Sequence, residues 1–189
     1  SRAAAEDLCR VAGVELLDLE VTLTDPVATW LSAGALSLWL SIDEHRHWPD
    51  RADDLTPVVR ADLEASVDRP ARTLARGLRR RLQLQHDVAR IFEQVDVLLT
   101  PTTAVPAFAA EGPPPTEIDG VAVNEAMSVP FTMLANLCWN PAISVPAGLN
   151  SEGLPVGLQI IGRRHADEVP LRLARLLELA RPWPRLAPS

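Results

Sequence analysis

The apolar residues of the first forty positions follow helical spacing, then strand spacing, then helical spacing again. Residues 2–12 predict a helix that ends at Gly13, a residue suited to the left-handed conformation that closes helices. Residues 14–21 largely alternate apolar and acidic side chains, which predicts a strand. A second helix begins at Asp25-Pro26 and runs to about Ile42. Because it carries almost no charge, we expect other protein to cover both of its faces.

The next fifty residues predict helices separated by a polar segment. Residues 43–50 are polar and include His45 and His47. A metal site is one interpretation, but His-x-His spacing directs the two rings to different helical faces, so a solvated helix end is the better one. Residues 56–68 predict a short helix and residues 70–94 a long one.

After residue 94 the pattern changes to strands and loops. Residues 95–99 form a continuous apolar run, typical of a strand buried on both faces of a parallel or mixed sheet. Residues 101–115 are rich in proline and predict a rigid loop. An Asp-Gly pair between short apolar runs predicts a hairpin over residues 116–123. Two further strands are predicted at residues 142–146 and 156–161.

Helices are predicted between and after these strands. Asn124 is expected to cap a short helix before Pro130, and residues 131–137 predict another helix. Asp167 is expected to cap the last helix. Its predicted apolar stripe comprises Val169, Leu173, Leu176, Leu177 and Ala180.

Composition narrows the class of protein. With 47 % hydrophobic and 23 % charged residues, the 189-residue chain has the make-up of a soluble globular protein. Its net charge of −7 argues against nucleic acid and anionic membrane surfaces as partners, and no apolar run is long enough to span a membrane. Cys9 and Cys138 are too few for a disulfide framework or a zinc cluster. We expect them to be buried, reduced thiols in a cytoplasmic protein.

All 18 basic residues are arginine, so the chain has no lysine. Schiff-base chemistry, a P-loop lysine and a lysine general base are therefore excluded within these residues. The chain also begins without methionine, and we expect the true N-terminus to lie elsewhere.

Four motifs follow one another in the C-terminal half. They are Asp96–Thr102 (DVLLTPT), Asn140–Gly148 (NPAISVPAG), Gly153–Gly162 (GLPVGLQIIG) and the Asp167-Glu168 pair that opens the final helix. Together they resemble the C-terminal third of the amidase signature enzymes, and residues 1–23 more weakly resemble the helix and strand that follow the catalytic segment of that family. The resemblance implies an α/β fold with a mixed β-sheet core flanked by helices.

The same resemblance implies a domain organisation. Residues 1–189 would be the C-terminal portion of a single amidase domain, with a mainly helical part at 1–94 that includes one strand. Residues 95–189 would form the sheet core and a wall of the substrate pocket.

The resemblance also implies a chemistry that these residues lack. The family hydrolyses amides through a Ser–Ser–Lys triad, because a serine hydroxyl is a weak nucleophile and must pass its proton to a base. The triad lies in a Gly/Ser-rich segment N-terminal to everything in this chain. No catalytic residue is carried over, and we expect the chain alone to be inactive.

Four residues are implied to bind substrate. The segment 131–139 resembles a helix and loop that approach the acyl group in relatives, so Thr132, Ala135 and Trp139 would line the pocket and Asn136 would hold the loop. The alternatives are that Thr132 bonds its own helix backbone and that Ala135 only packs. The family often has glycine where Trp139 stands, and an indole there would narrow the pocket or favour a flat apolar acyl group.

Three residues of the last predicted strand have structural interpretations. Gly157 and Gly162 are expected to permit close backbone packing. Gln159, on a buried strand, must find a hydrogen-bond partner.

The leading hypothesis is an enzyme that cleaves a carboxamide C–N bond to a carboxylate and ammonia or an amine. The alternatives are an amidotransferase A subunit with partner subunits, and a non-catalytic paralogue that acts as a binding or scaffold protein. No metal or organic cofactor is implied. The expected partners are a small-molecule amide, the missing N-terminal catalytic part and, as in many family members, a second copy in a homodimer.

Overall fold

The computed structural model of the chain describes residues 1–42 and 47–183. The chain divides into two compact units. The first comprises Ser1–Thr22 and Val88–Ser189, and the second comprises Leu23–Asp87. The chain crosses between the units twice, once after Thr22 in a segment without regular secondary structure and once after Asp87 near the end of a long helix.

The helices of the described residues lie within a few residues of their predicted positions. They are α1 (Arg2–Ala12), α2 (Pro26–Ser41), α3 (Pro57–Glu64), α4 (Ala71–Ile91), α5 (Pro130–Cys138) and α6 (Glu168–Ala180), with 3₁₀ turns at Ala52–Asp54 and Glu125–Ser128.

The strands form a three-stranded sheet and a separate hairpin. They are β1 (Val97–Pro101), β2 (Glu117–Ile118), β3 (Val121–Ala122), β4 (Ala142–Leu149) and β5 (Pro155–Gly162). The three-stranded sheet has the order β1-β5-β4, and β5 pairs antiparallel with both neighbours. The apolar run at residues 95–99 was expected to be buried on both faces, whereas β1 is only half-buried and makes antiparallel rather than parallel pairs.

The two faces of this sheet have different partners. Side chains alternate between the faces of a strand, so Leu158 and Ile160 lie on the face opposite Gln159. The first face joins α1 and α6 in one buried cluster. Its buried members are Ala4, Ala5, Leu8, Val145, Leu158, Ile160, Ala174 and Leu177. The second face is more polar and reaches α5, as described below.

The predicted details of α6 need correction. The side chain of Asp167 makes no capping hydrogen bond. Leu176 is 39 % exposed and Ala180 is also exposed, whereas Pro170, Ala174 and Leu177 are buried. The reason is tertiary: a Cβ at Gly162 would lie 2.8 Å from Cγ of Pro170, so β5 and α6 approach too closely for a side chain there. That contact sets which face of α6 is turned inward and confirms the close packing expected at Gly162.

The predicted strand at residues 14–21 is wrong, because the structure has no regular secondary structure there. Residues of this segment and of β1 together line a cleft of about 550 Å³, and β1 pairs with β5 rather than with this segment. Without a backbone neighbour a strand cannot satisfy its N–H and C=O groups, so the alternating pattern alone is insufficient. Val14, Leu17 and Val21 are each about half exposed.

The predicted turns are confirmed. At the β2–β3 turn, Asp119 and Gly120 both have positive φ, 50° and 77°, the geometry of a tight hairpin turn. The carboxamide oxygen of Asn124 accepts from the backbone N–H of Ala126, 2.9 Å away, and begins the 3₁₀ turn.

The second unit is helical. The Asp25 carboxylate accepts from the backbone N–H groups of Val27 and Ala28, so α2 begins where predicted. Of its apolar residues, Leu31 and Leu40 stay exposed, and the expectation that other protein covers them stays a prediction.

The metal site considered for residues 43–50 would include His45, which lies outside the described residues. Among residues 1–42 and 47–183, no group of three or more His, Cys, Asp or Glu side chains is placed to hold a metal ion. No helix in the same ranges is long and apolar enough to cross a membrane.

Candidate functional site

Helix α5 and Trp139, the residue that directly follows it, contain the four residues predicted to bind substrate. Pro130 occupies the first turn of α5, where a missing N–H costs nothing, and a mostly apolar sequence buries one side of the helix. At its end Trp139 adopts the left-handed conformation, with φ 59° and ψ 35°. The backbone N–H of Asn140 then donates to the carbonyl of Ala135, 3.1 Å away, which closes the helix in the manner usually served by glycine.

Ala135 and Asn136 follow Thr132 by three and four positions, so these three residues share one face of α5, and Trp139 follows the helix in the left-handed conformation. Thr132 is half-buried, and its hydroxyl donates to the carbonyl of Val129 at 3.0 Å. Ala135 is buried, and Trp139 is 71 % exposed. We refer to these four positions as the strip on α5, and their contact with substrate stays a prediction.

Asn136 was expected to hold the loop after α5, but its amide donates to the carbonyl of Thr132, 2.9 Å away, inside the helix. Two other residues hold the loop. The side-chain amide of Asn140 donates to the carbonyl of Gly162 at 2.7 Å, and Nε of Arg164 donates to the carbonyl of Cys138 at 2.6 Å. A guanidinium at a helix C-terminus also compensates the partial negative charge there.

Gln159 links the polar face of the sheet to the start of α5. It is 4 % exposed, and its amide donates to the hydroxyl of Thr100 at 2.9 Å and to the carbonyl of Phe131 at 3.1 Å. The predicted need for a partner is therefore confirmed. Because Phe131 directly precedes Thr132, this bond places the predicted substrate-binding strip relative to the sheet.

Beside Gln159 the same face carries a pair of hydroxyl groups. Oγ1 of Thr102 lies 2.6 Å from Oγ of Ser144. A Cβ at Gly157, between them on β5, would lie 2.4 Å from Oγ1 of Thr102 and 2.9 Å from Oγ of Ser144. Only glycine at 157 lets the two hydroxyls meet, which confirms close packing there.

The hydroxyl pair lies in a cleft of about 500 Å³. Its floor is formed by β4 and β5, and its walls come from the proline-rich loop and from the residues that precede α5. None of the lining residues is ionisable. The cleft adjoins the strip on α5, because Val129 lines it and also accepts the hydrogen bond from Thr132.

With this geometry in place, the comparisons with known proteins identify the family. A family model described as Amidase matches residues 50–171, more than half of the chain. The chain belongs to the amidase family. The resemblance to the amidase signature enzymes is thereby confirmed, together with the α/β fold class.

Curated members of the amidase family match about half of the chain. It is 42 % identical over 103 residues to the A subunit of glutamyl-tRNA(Gln) amidotransferase from Geotalea daltonii, a match that covers 54 % of this chain and 20 % of that protein. It is 43 % identical over 107 residues to fatty acid amide hydrolase of Arabidopsis thaliana, covering 55 % of this chain and 17 % of that protein. The matched part is thus about a fifth of the length of these relatives.

Solved structures extend the likeness to nearly the whole chain. A bacterial aryl acylamidase of the amidase signature family superposes with a TM-score of 0.74 and 25 % identity, covering 96 % of this chain and 40 % of that one. The amidase-family fold therefore includes residues before position 50 as well.

Sequence reasoning about this amidase-family chain missed the cleft. Thr102 and Ser144 were noticed only as parts of motifs, and Gly157 only as a packing residue. The available signal was the glycine on β5 between two hydroxyl residues that lie 42 positions apart in the sequence, but their proximity depends on the strand register.

Proposed function

We propose that this chain is the part of an amide hydrolase that forms one wall of the substrate pocket. The observation that carries the proposal is the strip on α5, which combines a hydroxyl, a small buried side chain and an exposed indole in an amidase-family protein. Its role is to bind and orient the amide, since an oriented substrate reacts far faster than a free one.

The nucleophile and base would come from elsewhere. A serine activated by a neighbouring serine and lysine, as the family resemblance implies, attacks the amide carbonyl, and hydrogen-bond donors stabilise the oxyanion that forms. This chain contains no lysine. We therefore propose that a Gly/Ser-rich segment N-terminal to residue 1 supplies the triad, and that the 189 residues alone do not hydrolyse amides.

An amidotransferase A subunit is the second candidate. It is supported by the identity to the Geotalea daltonii protein, which is named as one subunit of such an enzyme. In that case further subunits would be the partners, whereas a hydrolase would act alone or as a homodimer. A cytoplasmic location is proposed for both. A non-catalytic scaffold paralogue is the third hypothesis.

The coding sequence upstream of Ser1 provides the first test. A lysine followed by a Gly/Ser-rich Ser–Ser segment in the same reading frame supports the hydrolase, and a stop codon followed by a start site supports the scaffold protein.

The decisive measurement is ammonia release from benzamide and from acetamide by the extended protein and by the 189-residue chain. We expect activity only in the extended protein. In that protein Trp139→Ala should change the ratio of kcat/KM for the two amides, while Trp183→Ala, a matched change on another segment, should leave the ratio unchanged. Activity of the 189-residue chain abolished by one serine substitution would contradict the proposal.

A further inference from the structure

The cleft at Thr102 and Ser144 adjoins the strip on α5 but plays no part in the argument for amide hydrolysis. We propose that this cleft binds small neutral carboxamides with an apolar body, and that the hydroxyl pair holds their polar group. The ligand class deepens the proposed function and rests on it, whereas the site itself rests on the geometry below.

The hydroxyl pair matches a carboxamide in its hydrogen-bonding capacity. Two hydroxyls 2.6 Å apart use one of their two protons in the bond between them. One proton and several lone pairs stay available, and the described residues offer these two hydroxyls no other hydrogen bond. A carboxamide can accept the free proton at its oxygen and donate an N–H to a lone pair.

The remaining surface of the cleft selects against charge. Its walls include the apolar residues Val105, Pro106, Phe108, Val129 and Val156, and no lining residue is ionisable. A carboxylate or an amidinium that entered would lose hydration without gaining an opposite charge. A neutral ligand with an aromatic or aliphatic body avoids that penalty and buries apolar area.

The cleft is also formed before any ligand arrives. The backbone N–H of Thr102 donates to the carbonyl of Gly157 at 3.1 Å, which extends the sheet pairing beyond β1. The backbone N–H of Ala104 donates to the carbonyl of Ser128 at 3.0 Å, which ties the proline-rich loop to the opposite wall. Little conformational entropy remains to be lost on binding.

The test is an NMR titration of the ¹⁵N-labelled 189-residue chain with three probes of the same shape. These are benzamide, which is neutral, benzoate, which is an anion, and benzamidine, which is a cation. We expect benzamide to shift the backbone amide signals of Thr102, Thr103 and Gly157. Its affinity should exceed that of either ion by about tenfold or more, because each ion must be desolvated.

Two substitutions locate the binding group. Ser144→Ala removes one exposed hydroxyl and should weaken benzamide binding about threefold to tenfold, the range for one neutral hydrogen bond. Gly157→Ala should weaken it more than tenfold, because the new Cβ would displace both hydroxyls. Circular dichroism and the unfolding midpoint verify that each variant folds.

Matched controls separate binding from general damage to the sheet. Ser151→Ala changes an exposed serine in the turn between β4 and β5 and should not alter binding. Gly162→Ala also introduces a crowded Cβ, 2.8 Å from Pro170 at the C-terminal end of β5, and should lower stability without a specific effect on benzamide.

Several results would overturn the proposal: equal binding of the three probes, benzamide shifts confined to Thr132 and Asn136 on α5, or unaltered binding in a folded Ser144→Ala variant. The proposed function fails differently. If benzamide binds the cleft but the extended protein releases no ammonia from any amide, the cleft stands and the hydrolase does not.

Discussion

At the residue scale, Gly157 and Trp139 are opposite cases: the structure requires glycine at position 157, whereas at position 139 a bulky residue has a backbone conformation that glycine would adopt more easily. Gly157 is required because any side chain would collide with two hydroxyls. Trp139 instead occupies a left-handed position, φ 59°, that a bulky residue adopts at a cost and that glycine adopts freely. An exposed aromatic residue, 71 % accessible, therefore holds a backbone conformation that costs stability.

Trp139 supports a prediction that isolates this strain. Trp139→Ala keeps a Cβ in the left-handed conformation, whereas Trp139→Gly removes it. The Gly variant should therefore be more stable than the Ala variant by about 1 kcal/mol in urea unfolding. The comparison cancels the loss of the indole itself. Equal stability of the two variants would mean that the end of α5 is not strained.

At the element scale, helix packing in the second unit depends on close contact between backbones. A Cβ at Gly77 of α4 would lie 2.6 Å from the carbonyl oxygen of Ser32 on α2. A Cβ at Gly34 of α2 would meet only the Trp30 ring, 3.9 Å away, at an ordinary contact distance. The two helical glycines therefore have different reasons to be present.

This difference predicts opposite effects of the same substitution. Gly77→Ala should destabilise the chain by about 1–3 kcal/mol, because the two helices must move apart. Gly34→Ala should stabilise it by about 0.5–1 kcal/mol through helix propensity. Thermal unfolding of both variants provides the measurement. Stabilisation by Gly77→Ala would contradict the close approach of α2 and α4.

A carboxylate on α4 joins the start of α2. One oxygen of Asp87 accepts from the backbone N–H and the hydroxyl of Thr24 at 2.9 and 2.7 Å, and the other accepts from Gln83 at 2.9 Å. Partial burial raises the pKa of Asp87, but these hydrogen bonds outweigh it and leave the pKa below its usual value.

The lowered pKa of Asp87 predicts a pH dependence of stability. Its contribution is fully present above the ordinary carboxyl pKa of about 4 and is lost as the pH falls through the lower folded-state pKa. Asp87→Asn should therefore be less stable than the parent chain at pH 7, with a difference that shrinks below about pH 4. Asp62→Asn, in the same unit, is the control. If the stability difference between Asp87→Asn and the parent chain did not change with pH, the hydrogen bonds from Thr24 and Gln83 to the Asp87 carboxylate would not be its cause.

At the scale of the whole molecule, both thiols report on the packed interior of the first unit. Cys9 and Cys138 are both buried, with 8 % and 1 % of their surface exposed, which confirms the predicted burial. Burial also raises the pKa of Cys9, so less of the reactive thiolate is present at a given pH.

We predict that both thiols of the native chain react with a disulfide reagent at pH 8 about 100-fold more slowly than in denaturant, because reaction requires opening of the fold. Cys138→Ser assigns the remaining rate to Cys9. Labelling of either thiol at the denatured rate would show that its burial is not maintained in solution.

The helices were predictable from local sequence patterns, whereas one predicted strand and one predicted helix cap were wrong. Helices make their hydrogen bonds within one segment, so Asp25, Gly13 and the spacing of apolar residues sufficed to predict α1 and α2. The strand at residues 14–21 failed because a strand needs a partner that no local pattern specifies. Asp167 failed as a cap because its backbone is helical, with φ −59° and ψ −30°, and does not have the extended conformation that an N-cap residue adopts.

The sequence by itself determined the helices, the hairpin, the motifs of the amidase family and the absence of a catalytic lysine from these residues. Only the tertiary structure decided that Thr102, Ser144 and Gly157 share one cleft, because strand register brings together residues far apart in the chain. It also decided that Asn140 and Arg164, rather than Asn136, hold the loop after α5, since those bonds depend on where β5 and α6 pack.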